Sequence, residues 1–225
     1  EAPSPEAARM DTEGFSEGDF TFSENKQGEV VLRSRSMLGG ESIFNLGFLR
    51  MDWLGRLHTG TLARRIVTVY LPAGQLDRLR IEGGTGDFGG TLPVSARELS
   101  ISCGTGNVKL SGLRADDISI EAGMGNITLD QLICKKLTVS GGTGGLTLRD
   151  GEASESAVFE LGTGTTQLHR VALHKLDLSA GVGSLSLSGT LRGDCEIELG
   201  VGSSDIHLLE PSAHYSAEIE RGLGS

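Results

Sequence analysis

The chain has 225 residues, 30 acidic and 20 basic, for a formal charge of −10. That balance argues against nucleic acid or an anionic membrane surface as the main partner, because both require a basic footprint. Aromatic residues are only 4% of the chain, Gly reaches 34, and no run of about 18 apolar residues occurs, so no segment reads as a transmembrane helix.

The start, Glu1-Ala2-Pro3-Ser4-Pro5, lacks Met and reads as a processed terminus. Residues 1–27 are rich in Glu, Ser, Ala and Gly and read as a flexible N-terminal segment, its first dozen residues disordered. Within it the alternation of Phe20 and Phe22 predicts a short docked strand. Residues 28–72 read as an N-terminal cap. Glu29–Ser36 predicts a strand, as does Arg64–Leu71, stopped by Pro72. Between them Phe44, Phe48, Met51 and Leu54 are spaced as on one face of a helix, with Gly47 against it. The alternative for Phe44–Leu57 is an exposed apolar patch for a partner.

From residue 73 to 225 a repeat takes over. Gly84-Thr85-Gly86 returns as Gly104-Thr105-Gly106, Gly123-Met124-Gly125, Gly142-Thr143-Gly144, Gly162-Thr163-Gly164, Gly181-Val182-Gly183, Gly200-Val201-Gly202 and Gly222-Leu223-Gly224, in steps of 19, 20 or, at the end, 22 residues. A fixed period of about 20 residues signals stacked supersecondary units. Five and three residues before each first glycine stand apolar pairs such as Leu99/Ile101, Ile118/Ile120 and Leu137/Val139, with polar residues between them. After the second glycine the alternation resumes, as in Val108/Leu110, Ile127/Leu129 and Leu146/Leu148, while Thr166 occupies an apolar slot. Period-two alternation makes one strand face core and the other solvent. Units this short bury their apolar positions only by stacking. The predicted fold is therefore all-β: a single-domain parallel β-solenoid of about eight coils, roughly 35 Å long at 4.8 Å per coil, with right-handed crossovers expected. A β-sandwich would not place the glycines at one phase of every repeat. The final glycines stop at Ser225, where the other coils continue into a strand, so the natural protein is read as able to run on.

The sixteen corner glycines have a physical reason: each corner needs either a positive φ or close approach of stacked backbones, and Gly meets both. The position after the second glycine forms a polar column, Asp87, Asn107, Asn126, Gly145, Thr165, Ser184, Ser203 and Ser225, whose side chains are placed to hydrogen-bond from coil to coil.

The pattern Leu-x-Ile-x-x-Gly-x-Gly-(Asp/Asn)-(Val/Ile)-x-Leu, at Leu99–Leu110 and Ile118–Leu129, resembles the DUF4097 family of bacterial β-strand-repeat proteins, often labelled adhesins. The lead-in Tyr70-Leu71-Pro72 and the closing stretch from Gly189 to Gly224 are similar to that family as well, so the resemblance covers about residues 64–225. It implies a β-helical solenoid and an envelope or extracellular setting behind a removed signal or anchor, and it does not imply a catalytic mechanism.

Chemistry is sparse. Gly84-Thr85-Gly86-Asp87-Phe88-Gly89 spells GxGxxG, but a strand pattern follows where a dinucleotide site needs a helix. A calcium-binding nonapeptide reading fails on the period. His169, His174, His207 and His214 make no metal motif, and no nucleophile elbow is present. Cys103, Cys134 and Cys195 read as unpaired thiols, with Cys103 and Cys195 in core phase and Cys134 in a linker. No cofactor, catalytic residue or metal ligand is expected. Glu196, Glu198, Glu218 and Glu220 form an acidic group on the outer face, read as solvated or as a weak site for a cation or cationic partner. The middle residues of the corners change from Thr to Val and Leu along the chain. If they point outward, they form an apolar stripe.

The function expected is a non-catalytic, envelope-exposed interaction or scaffold module whose partner is a protein or an envelope component. The alternatives are a sensor domain binding an envelope protein and, disfavoured by the missing carboxylate cluster, a carbohydrate-active β-helix enzyme.

Overall fold

The computed structural model describes the backbone of residues 9–13, 20–24, 30–34, 42–44, 49–56, 62–70, 75–91 and 95–210, and the side chains of residues 77–81, 86–90 and 95–210. The elements are β1 (Arg9–Glu13), β2 (Phe20–Glu24), β3 (Val30–Ser34), β4 (Ser42–Phe44), β5 (Leu49–Arg56), β6 (Leu62–Tyr70), β7 (Gln75–Thr85), β8 (Asp87–Thr91), β9 (Ser95–Thr105), β10 (Val108–Ser111), β11 (Arg114–Met124), β12 (Ile127–Thr143), β13 (Leu146–His174), β14 (Leu176–Arg192) and β15 (Glu196–Leu208). Among the described residues no helix is long and apolar enough to cross a membrane.

From β7 onward every pairing between coils is parallel and the chain winds through about six turns of a β-solenoid. One ladder precedes the glycine corner: Leu79 lies opposite Leu99, Leu99 opposite Ile118, and Ile118 opposite Leu137. A second follows it: Phe88 opposite Val108, Val108 opposite Ile127, and Ile127 opposite Leu146. The late strands are long because the chain turns corners without leaving its ladder. The eighth corner, Gly222-Leu223-Gly224, lies outside the described residues.

Stacking explains the core. Side chains of one sequence phase all face inward, so each coil adds its apolar pair to the same columns. Ile101, Ile120, Val139, Phe159 and Leu178 form one column and are almost fully buried. In the fifth coil the large Phe159 is accompanied by the small Ala157 and by Thr166, all buried, so volume is exchanged between columns within one coil. Among the described residues, Thr166, at 3% exposure, is the buried polar residue of this core.

The N-terminal strands depart from the sequence reading. In the segment read as a helix around Phe44–Leu54, the described residues form β4 and β5 instead, and Phe48 lies outside them. Leu49, Met51 and Trp53 also fit a period of two, and Gly47 and Gly55 weaken a helix. The deciding factor is tertiary: the first coil presents open sheet edges whose backbone groups need partners, and a helix cannot supply them. β4 pairs antiparallel with β7, and β5 with β8. β3 and β2 extend the first side, while β6 and β1 extend the second. β1 begins within the first dozen residues, which composition marks as disordered, and ends one residue beyond them. The strands expected at Phe20/Phe22, Glu29–Ser36 and Arg64–Leu71 appear as β2, β3 and β6.

Candidate functional site

The glycine corner is the feature every coil presents. Its second glycine adopts a positive φ, 143° at Gly106, 137° at Gly125 and 143° at Gly144, in a region that L side chains rarely enter. Its first glycine is required for another reason. A Cβ on Gly123 would come 2.5 Å from the Gly104 carbonyl oxygen, and one on Gly142 equally close to that of Gly123. The backbones stack without room for a methyl group, held by bonds such as Gly106 N–H to Met124 O at 2.8 Å.

Between these glycines the middle side chains stand outward. Thr105, Thr143 and Thr163 are exposed, Met124 is 56% exposed, and Val182 and Val201 are each 49% exposed. The result is an uncharged ridge, apolar toward its later coils, on an acidic protein. Thr85 and Leu223 lie outside the described side chains.

Beside the ridge runs the polar column. Asn107 donates both its main-chain and its side-chain N–H to Asp87 Oδ1, at 2.7 and 3.0 Å. Asn126 repeats this on Asn107 Oδ1, at 3.0 and 3.3 Å, and Gly145 N–H donates to Asn126 Oδ1 at 2.8 Å. After the gap at Gly145 the column resumes with Ser184 Oγ and Thr165 Oγ1 at 3.4 Å. These groups bridge coils, as their sequence phase implied.

A second corner was not legible. Gln131, Asp150 and Arg170 have φ of 56°, 53° and 52°, and Gly112 lies one coil earlier at 74°. Arg170 clasps Asp150 through Nε to Oδ1 at 2.6 Å and Nη2 to Oδ2 at 2.7 Å. The guanidinium holds the Asp150 carboxyl below its usual range, and the carboxylate raises Arg170 in turn. Further ion pairs join successive coils: Arg78–Glu98 at 2.7 Å, Arg97–Asp77 at 3.3 Å, Lys135–Asp116 at 3.0 Å and Arg149–Asp130 at 3.4 Å. Opposite charges one repeat apart are the signal that would have revealed them.

Glu196 and Glu198 are exposed on β15, opposite Asp177 and Ser179 of β14. Glu218 and Glu220 lie outside the described residues. Among the described residues no group of three or more His, Cys, Asp or Glu side chains could hold a metal ion.

The thiols divide differently from the sequence reading. Cys103 and Cys134 are buried and Cys195 is exposed, all three free. Cys134 turns inward because the connecting stretch has a ladder of its own, with Ala115, Cys134 and Ala153 in register. Cys195 precedes the last described strand, where no described coil covers it. Burial raises Cys103 to about 11, with Asp87 adding to the effect, and raises Cys134 to about 12, with Asp117 and Glu152 adding.

The family model described as Toastrack DUF4097 matches residues 43–223. No curated protein and no solved structure matches the chain.

Proposed function

The chain belongs to the Toastrack DUF4097 family, and from that premise we propose that it is a non-catalytic interaction module whose contact edge is the outward glycine-corner ridge. The observation that carries this reading is the exposure of Met124 and Val182 while Ile120 and Ile127, and Leu178 and Leu185, are buried in the same coils; Val201 continues the line on the last described coil. Apolar side chains held outward at a regular interval add nothing to the core and favour contact with a partner. The rest of the surface supports a scaffold role, because its charged and amide groups are largely engaged in tying coil to coil. In this reading residues 28–72 cap the solenoid, and the partner is a protein or another component of the cell envelope.

The test is photo-crosslinking from position 182 in envelope extract, compared with the same probe at exposed Lys109 on the flank. A partner captured from 182 but not from 109, and lost in Val201→Glu, supports the ridge. Equal capture from both positions, or none from 182, overturns it.

A further inference from the structure

The N-terminal strands meet the first coil along a narrow seam. On one side the described register is Phe44 opposite Ile81. On the other it runs over Arg50 opposite Gly89, Met51 opposite Phe88 and Asp52 opposite Asp87. The structure on either side of this seam is joined over longer runs. β5 follows β6 from Leu49 opposite Val69 to Arg56 opposite Leu62. β7 follows β9 from Gln75 opposite Ser95 to Thr85 opposite Thr105.

One end of the seam opposes like charges. Directly opposite positions of an antiparallel pair place their Cβ atoms about 4.5–5.5 Å apart, where two carboxylates disfavour pairing. Asp87 is exposed, and its Oδ1 already accepts from Asn107. Arg50 shares the face of Asp52 but stands opposite Gly89, diagonal to Asp87. Asn107, on the other side of Asp87, is uncharged.

We propose that this seam is an opening device: β5 and β6 separate from the first coil as a unit while the coils remain stacked, and the opposition of Asp52 and Asp87 sets how readily they do so. Opening uncovers the edge of β8, whose unpaired N–H and C=O groups form a template for an added strand. The device is independent of the ridge and of any partner bound there.

Native-state hydrogen exchange on the full chain tests it. Amides of β5 and β6 exchange through one shared opening, faster than those of β9 and β11. Asp52→Asn slows that exchange by about two- to fivefold. Added salt slows it in the parent protein and has little effect in the variant. Asp87→Asn keeps the oxygen that Asn107 binds and gives the same slowing, so the result does not hang on one variant. Exchange of β5 and β6 at the rate of β9 and β11 overturns the proposal. So does the absence of slowing in both variants.

Discussion

Asn107 donates its main-chain and its side-chain N–H to the same atom, Asp87 Oδ1, and its own Oδ1 accepts from the main-chain and side-chain N–H of Asn126. Each amide therefore serves the coil on either side. Asn107→Ala removes the acceptor for Asn126 together with the side-chain donor to Asp87. Because the column is exposed, water replaces part of the loss, and a cost of about 1 kcal/mol is expected in urea unfolding. Asp87→Asn retains the acceptor and lacks that cost.

The two glycines of a corner differ in what they forbid. Gly144 has φ 143°, and a Cβ there would run into the carbonyl of Gly125. Gly144→Val meets strain and clash together and costs about 3 kcal/mol or more. Thr143→Val, on the exposed residue between the glycines, stays within about 0.5 kcal/mol. Thermal unfolding of the two variants separates them, and equal effects would refute the close-stacking account.

Asp150 and Arg170 link coils from the second corner, and both are exposed. The Asp150 carboxyl is lowered by the bond from Arg170. A lowered carboxyl contributes stability above its ordinary titration range, and that contribution is lost as pH falls through its folded value. Arg170→Ala therefore lowers stability slightly at neutral pH and not in strong acid, and the difference shrinks with added salt. A double-mutant cycle with Asp150→Ala reads the coupling. A coupling insensitive to salt would contradict a solvent-screened pair.

The buried thiols predict both reactivity and alkaline behaviour. At mild pH a disulfide reagent titrates Cys195 in the folded protein and reaches Cys103 and Cys134 only on unfolding. Cys103 and Cys134 are raised from 9.0 to about 11 and about 12. Folding therefore holds protons that the unfolded chain releases above pH 9. Stability is full below that pH and declines as pH rises through the folded values. Cys134→Ala loses packing at neutral pH, and its stability falls less steeply in alkali than that of the parent.

The sequence by itself determined the parallel solenoid, its period, its core columns and the need for glycine at the corners. Side chains alternate every residue along a strand, so a local pattern such as Leu99-Ser100-Ile101 states which face is inside, and repetition at 19 or 20 residues states what it stacks on. The column from Asp87 to Asn126 was legible for the same reason. Tertiary structure alone decided matters that depend on a neighbour far along the chain. Leu49–Arg56 became a strand because β6 and β8 offered it edges. Cys134 is buried because its connection joins a ladder, while Cys195 is exposed. Gln131, Asp150 and Arg170 hold a left-handed backbone that no glycine marks. The middle residues of the corners, Thr105 to Val201, face outward because the tight stacking of their flanking glycines leaves them no path into the core. Local periodicity fixes the faces of a strand, but only assembly fixes which edges are covered and which side chains remain for a partner.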